Sequence, residues 1–238
     1  MGQEVDQEVD QKSAGSGLQA PMLAGADLRD RRDPRPVIRR EIPYRGMVWS
    51  VQRDTFDLGE GGVVQREYLE HPGAVIAIPY REVQGRPQIL LINQYRHPVV
   101  TFEWELPAGL LDVAGEPAQA AATRELAEEV DLVARRWDTL VDFYASPGGM
   151  NEALRVFLAR DLSAVPAEQR HAREAEERDM PTRWVDLEDA VEAVLGGRVN
   201  NAGAVVGVLA LSAARERDWA TLRPADAAWP QHPSQMTR

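Results

Sequence analysis

The stretch that decides the fold reads Gly109-Leu-Leu-Asp-Val-Ala-Gly-Glu116, then seven residues, then Arg124-Glu-Leu-Ala-Glu-Glu-Val-Asp-Leu132. Within it, Glu125, Glu128 and Glu129 are three and four positions apart, a spacing that places them on one face of a helix. We predict this helix over residues 117–130, with a proline in its first turn. Its opposite face is apolar and suited to packing on a sheet.

The three carboxylates repel one another, at a cost of roughly 0.2–0.5 kcal/mol per pair in an isolated helix. One interpretation is a solvated acidic stripe. The other is a site for a hard divalent cation, because Mg²⁺ takes carboxylate, carbonyl, water and phosphate oxygens as ligands. The residues that flank the carboxylates favour the second interpretation.

The segment resembles the Nudix box, and the spacing agrees from Glu116 to Leu132. Two features differ from the family pattern. Six residues separate Gly109 from Glu116, one more than in the box, and Asp131 stands where the box has its last glycine. That glycine ends the helix with a positive φ, which Asp tolerates better than most residues. Both differences lie away from the acidic face.

Composition excludes several other chemistries. The chain has 238 residues and no cysteine, so disulfides, thiolate zinc sites and cysteine nucleophiles are excluded. Its only lysine, Lys12, lies in a polar tail. The net charge of −11 argues against nucleic-acid binding, which needs a basic surface. No apolar run is long enough to cross a membrane, and we predict a soluble cytoplasmic protein. The histidines show no metal-ligand spacing; they are His71, His97, His171 and His232.

The order of strands and helices predicts an α+β fold, a Nudix α/β/α sandwich with a mixed sheet. A small N-terminal antiparallel β unit is expected to precede it. The predicted divisions are a disordered tail over 1–36, the β unit over 37–71, the Nudix domain over 72–221 and a loose C-terminal tail over 222–238.

The surroundings of the box resemble the bacterial ADP-ribose pyrophosphatases over roughly residues 42–215. Pro147, sixteen residues after Asp131, has a placement typical of members that cleave ADP-ribose. The other matching segments are Tyr44-Arg45-Gly46, Arg66-Glu67, Asn93 to His97, Trp104 to Gly109, Ser146 to Gly149 and Asn200-Asn201-Ala202. The resemblance implies Mg²⁺-dependent hydrolysis of ADP-ribose to AMP and ribose 5-phosphate, with Mn²⁺ as an alternative metal.

The resemblance also implies roles for single residues. Glu125 and Glu129 match the principal metal ligands, Glu128 an additional one, and the Ala108 carbonyl completes the set. Glu116 and Arg124 match a structural ion pair. The remaining matches concern the substrate: Arg66 and Arg96 for its phosphates, Glu152 for the terminal ribose and Trp49 for the adenine.

Family members take the general base that activates water from a mobile loop outside the box. Here the loop offers Glu174, Glu176 and Glu177. The register with Asp179-Met180 favours Glu177, with Glu176 second, and Glu128 is the candidate if neither acts.

In the family, the N-terminal β unit is a dimerisation domain exchanged between subunits, so the resemblance implies a domain-exchanged homodimer. Two other functions stay open. One is hydrolysis of another nucleoside diphosphate sugar or of a dinucleoside polyphosphate. The other is a non-catalytic Nudix-fold domain that senses a nucleotide, against which the intact carboxylate trio argues.

Overall fold

A computed structural model of the chain describes residues 17–47, 49–172 and 180–232. Residues up to Pro34 form a unit of their own, whose described part contains two short 3₁₀ turns, Gly17–Gln19 and Gly25–Asp27. In the described parts of the chain, no helix is long and apolar enough to cross a membrane.

The unit that begins at Arg35 contains eleven strands and three α-helices among its described residues. The strands are β1 (Val37–Arg45), β2 (Ser50–Asp57), β3 (Val63–Glu70), β4 (Ala74–Val83), β5 (Arg86–Arg96), β6 (Thr101–Glu105), β7 (Ala108–Leu110), β8 (Leu132–Tyr144), β9 (Ala153–Ala164), β10 (Thr182–Asp186) and β11 (Arg223–Pro224). The helices are α1 (Ala118–Val130), α2 (Leu187–Leu195) and α3 (Ala202–Arg215).

The strands form two sheets. Strands β1, β2 and β3 make an antiparallel sheet, as predicted for the N-terminal unit. The larger sheet has the order β10-β5-β4-β9-β8-β11, with β6 paired to β5 and β7 to β4. Its strands β4 and β9 are parallel and its other pairs are antiparallel, so the sheet is mixed.

The core lies on both faces of the larger sheet, because alternate side chains of a strand point to opposite faces. On β4, Ile76 and Ile78 pack in the cluster that holds Val208 and Leu211 of α3. Their neighbours Val75 and Ala77 belong to the clusters that contain the apolar face of α1. The sheet is therefore covered by α1 on one side and by α2 and α3 on the other, which confirms the predicted sandwich.

The C-terminal segment differs from the predicted loose tail. Residues Arg223 and Pro224 pair with β8, and the Thr139 hydroxyl donates to the Pro224 carbonyl at 3.0 Å. Buried Arg155 donates to the Ala227 carbonyl at 2.6 Å, and Trp229 is buried. Proline-rich composition suggested a loose tail, but the buried arginine needs acceptors that the tail supplies.

Candidate active site

The predicted metal face lies on α1, directly under strand β7. The helix begins after Pro117 and ends at Asp131, which has the left-handed conformation (φ 54°) expected for the position of the missing glycine. Exposure decreases across the acidic face: the side chain of Glu128 is 33% exposed and that of Glu125 14%, while Glu129 is 5% exposed as a residue.

Strand β7 holds two of these carboxylates. The Ala108 N–H donates to Glu129 Oε2 at 3.0 Å. The carboxylate of Glu125 lies against Gly109, so closely that a Cβ added at Gly109 would be 1.9 Å from Glu125 Cδ. Only glycine leaves this space. The Glu125 carboxylate thus occupies the space that the missing Cβ of Gly109 leaves, and we call this space the Gly109 cradle.

Arg124 balances the negative charge of this face. Its guanidinium donates to both oxygens of Glu116, at 3.2 and 3.0 Å, to Glu125 at 2.6 Å and to Glu128 at 3.5 Å. The hydrogen bonds to Glu116, together with the charge of Glu125, hold the pKa of Arg124 above its usual range. The predicted ion pair of Glu116 with Arg124 is confirmed.

The chemistry of the face fits a hard cation. It offers carboxylate oxygens on one helix face and a backbone cradle that a Cβ would fill. In the described part of the chain, however, no three acidic or histidine side chains converge as a finished metal site. Arg124 accounts for this arrangement, because its contacts draw Glu125 and Glu128 towards its own guanidinium.

The two arginines predicted to bind phosphate lie on strands, not on α1. Arg96, at the end of β5, makes a two-pronged ion pair with buried Glu105, with its Nε 2.7 Å from Oε1 and its Nη2 2.8 Å from Oε2. Its side chain is still 42% exposed, so the pair fixes the direction of the guanidinium without burying it. Arg66 is exposed on β3 and donates to the Gln65 carbonyl at 2.8 Å. Arg66 therefore belongs to the smaller sheet, whereas α1 packs on the larger one.

Trp49 and Glu152, predicted to bind the adenine and the ribose, meet through a histidine that the sequence analysis did not select. The Trp49 ring stacks on His71 with centroids 4.4 Å apart and an angle of 18° between the planes. On the same histidine, Nε2 lies 3.2 Å from Glu152 Oε1. Burial lowers the pKa of His71 to about 4 and raises the pKa of Glu152. The spacing of the histidines gave no signal for this role.

The predicted general bases, Glu174, Glu176 and Glu177, lie outside the described residues. The segment that follows them is anchored: Met180 is buried, and the Pro181 carbonyl accepts from the Asn93 N–H of β5 at 2.9 Å. Met180 and Pro181 therefore lie at the larger sheet, beside β5.

Comparisons with known proteins agree with this geometry. A family model described as the NUDIX domain matches residues 70–204, which include β4, the box and the start of α3. The chain is 40% identical over 197 residues to the ADP-ribose pyrophosphatase of Mycobacterium tuberculosis, with 83% of this chain and 92% of that protein covered. It is 34% identical to the ADP-ribose pyrophosphatase of Bacillus subtilis, with 69% and 85% covered.

A solved structure described as an ADP compounds hydrolase has the same fold. It superposes with a TM-score of 0.65 at 20% sequence identity and covers 80% of this chain and 98% of its own. The residues that the NUDIX family model matches, 70–204, include Gly109 and the glutamate face of α1. The chain belongs to the Nudix family of hydrolases.

Proposed function

We propose that this protein hydrolyses the pyrophosphate bond of ADP-ribose to AMP and ribose 5-phosphate with the help of Mg²⁺. One observation carries the proposal: Glu125 of α1 lies against the Gly109 cradle and Glu129 accepts from the neighbouring Ala108 N–H, in a chain that is 40% identical to an ADP-ribose pyrophosphatase over most of its length. The intact carboxylates argue against a domain that only senses a nucleotide.

The metal would be held by Glu125, Glu128 and Glu129, together with the carbonyl of Ala108. Oxygen donors of this kind suit Mg²⁺, and Mn²⁺ is the alternative. A bound divalent cation acidifies a water molecule and neutralises charge on the phosphates. Arg124 would balance the charge of the carboxylates when no cation is present, because it already contacts Glu125 and Glu128.

The protein groups have separate tasks in the proposed reaction. A water gives its proton to a loop carboxylate, Glu177 or else Glu176, and its oxygen attacks one phosphorus while the bridging P–O bond breaks. The departing phosphate keeps the bridging oxygen. Glu128 is the alternative base. Arg66 and Arg96 are proposed to bind the phosphates, for which planar guanidinium groups are suited.

We propose that Glu152 contacts the terminal ribose and that Trp49 stacks on the adenine. Both side chains contact His71: Glu152 Oε1 is 3.2 Å from Nε2, and the Trp49 and His71 ring centroids are 4.4 Å apart. Trp49 also remains 36% exposed, which leaves indole surface for a ligand.

The proposed active form is a homodimer that exchanges its N-terminal sheets. Three apolar side chains of that sheet are more than half exposed in the single chain, Ile38 (61%), Tyr44 (63%) and Val63 (61%). A partner sheet that covered these side chains would remove their apolar surface from water.

The test is a Mg²⁺-dependent assay of the full chain over a nucleotide panel, with product identification. The panel holds ADP-ribose, other nucleoside diphosphate sugars and dinucleoside polyphosphates. We expect the highest kcat/KM with ADP-ribose, with AMP and ribose 5-phosphate as products, and loss of turnover with a chelator. A higher kcat/KM for another member of the panel would replace the substrate, and binding without turnover of any member would favour the sensor.

A further inference from the structure

His71 lies where a linker and a loop are joined by backbone hydrogen bonds. The Leu69 N–H donates to the Gly149 carbonyl at 2.9 Å, and the Asn151 N–H donates to the Leu69 carbonyl at 3.2 Å. The His71 N–H donates to the Asn151 side-chain oxygen at 2.7 Å. These bonds fix the backbone beside Glu152 relative to the residues that connect β3 with β4.

The hydrogen bonds of the ring define which nitrogen carries the proton. The Gly73 N–H donates to His71 Nδ1 at 3.0 Å, so Nδ1 is an acceptor. In a neutral imidazole the proton then sits on Nε2. The Nε2 atom is 3.2 Å from Glu152 Oε1, so the ring and that carboxylate are in close polar contact. Both side chains are largely buried, with 6% of His71 and 17% of Glu152 exposed.

The same residues lie beside the loop of the box. The Gly73 carbonyl accepts from the Leu111 N–H at 3.0 Å, directly after strand β7. Strand β7 carries the glycine that cradles Glu125. His71 is thus linked through Gly73 to the start of the loop that leads to Glu116. On its other side, the ring is stacked against Trp49.

We propose that His71 is a positioning residue for the substrate: its Nε2, which lies 3.2 Å from Glu152 Oε1, fixes the direction of the Glu152 carboxylate. The proposal rests on the function proposed above, in which Glu152 binds the ribose. His71 itself does not touch the substrate. Its effect is on binding, so it changes KM and leaves kcat nearly unchanged, as expected for an interaction equal in ground and transition states.

Two variants separate the polar contact with Glu152 from the acceptor for Gly73. His71→Gln places an amide N–H near the position of Nε2, and so keeps the polar contact with Glu152. His71→Asn places its oxygen near the position of Nδ1, and so keeps the acceptor but loses the polar contact. We expect His71→Asn to raise the KM for ADP-ribose roughly tenfold, the order typical of a lost polar contact with a charged group. His71→Gln should stay within about twofold of the wild type.

A double-mutant cycle with Glu152→Ala decides whether His71 acts through Glu152. If it does, His71→Asn raises KM in the wild-type background and adds almost nothing in the Glu152→Ala background. An equal rise in both backgrounds, or no rise in either, overturns the proposal. If His71→Asn does not fold, His71→Gln carries the test, and a tenfold rise in its KM overturns the proposal.

The cycle also separates this proposal from the proposed function. A wild-type chain that does not hydrolyse ADP-ribose refutes the function, and the same variants are then compared with the nucleotide that is hydrolysed. A chain that hydrolyses ADP-ribose while Glu152→Ala leaves KM unchanged refutes the ribose contact of Glu152 and, with it, the positioning role of His71, but not the hydrolysis of ADP-ribose.

Discussion

At the residue scale, the acidic face depends on a close contact that one added atom, a Cβ at Gly109, would break. Glu125 fits against β7 because Gly109 has no Cβ, and Glu129 is oriented by the Ala108 N–H. Arg124 then balances the charge of the face by binding Glu116, Glu125 and Glu128. The like charges that destabilise an isolated helix are thereby held in place by neighbouring groups.

Gly109→Ala tests the cradle. The added methyl would be 1.9 Å from Glu125 Cδ, so the carboxylate must move away from β7. We expect turnover to fall by roughly 10²-fold, the order expected when a catalytic group is misplaced by about 1 Å. Gly25→Ala is the control, since a Cβ there meets nothing within 4 Å. Equal kcat values for the two variants in the nucleotide assay would contradict the cradle.

His71 makes stability depend on pH. Burial lowers its pKa from 6.5 to about 4, so between these values the unfolded chain binds a proton that the folded chain does not. Folded-state stability therefore falls as pH drops from about 6.5 to about 4, by roughly 2–3 kcal/mol. The raised pKa of Glu152 has the opposite effect on stability. As pH falls, the folded chain binds the Glu152 proton before the unfolded chain does, which stabilises the folded state. Urea unfolding at pH 7 and pH 4.5 should show a smaller loss for His71→Gln than for wild type; equal losses would contradict the argument.

At the element scale, the sequence predicted those parts whose signal is local. The helix over 117–130 follows from carboxylate spacing and from Pro117, and the structure differs only in placing Pro117 at the N-cap. The β unit predicted over 37–71 contains β2, which runs from Ser50 to Asp57 and pairs with both β1 and β3.

Other features of the elements were not predictable, because they depend on contacts between distant parts of the chain. The docking of residues 223–232 requires the buried Arg155, which lies far away in sequence on β9. The role of His71 requires Trp49 and Glu152, which come from two further segments. No spacing within a single element encodes such a cluster.

The end of α1 provides a prediction of its own. Asp131 has φ 54° and ψ 37°, a left-handed conformation that Asp and Gly tolerate and β-branched residues do not. Asp131→Val should lower the free energy of unfolding by about 2 kcal/mol, whereas Asp131→Gly should change it little. Both are measured by urea denaturation. A Val variant as stable as the Gly variant would show that the helix ends in another way.

At the scale of the whole molecule, a Nudix sandwich and a separate three-stranded sheet lie in one chain. Each has a distinct task in the proposed function. The sandwich holds the carboxylates. The small sheet carries Arg66 on β3, and Trp49 directly precedes its strand β2. His71 lies at the junction of the two sheets, between β3 and β4.

Truncation distinguishes the small sheet from the segment before it. Removing residues 1–34 should leave activity and oligomeric state nearly unchanged, because these residues form a unit of their own. Removing residues 1–71 should abolish the dimer and expose apolar surface and strand edges. Light scattering and the nucleotide assay measure both. A fully active, well-behaved monomer that lacks residues 1–71 would contradict the dimer.

The most direct test of the central claim, that the α1 carboxylates hold the metal for pyrophosphate hydrolysis, is the kcat of Glu129→Gln with ADP-ribose at saturating Mg²⁺. Its amide oxygen can still accept from the Ala108 N–H, so the fold is retained. The exposed Glu192→Gln of α2 is the matched control. We predict a loss of roughly 10³-fold or more for Glu129→Gln, the several kcal/mol that metal-ion catalysis supplies, and no change for Glu192→Gln. Near-wild-type turnover of Glu129→Gln would contradict it.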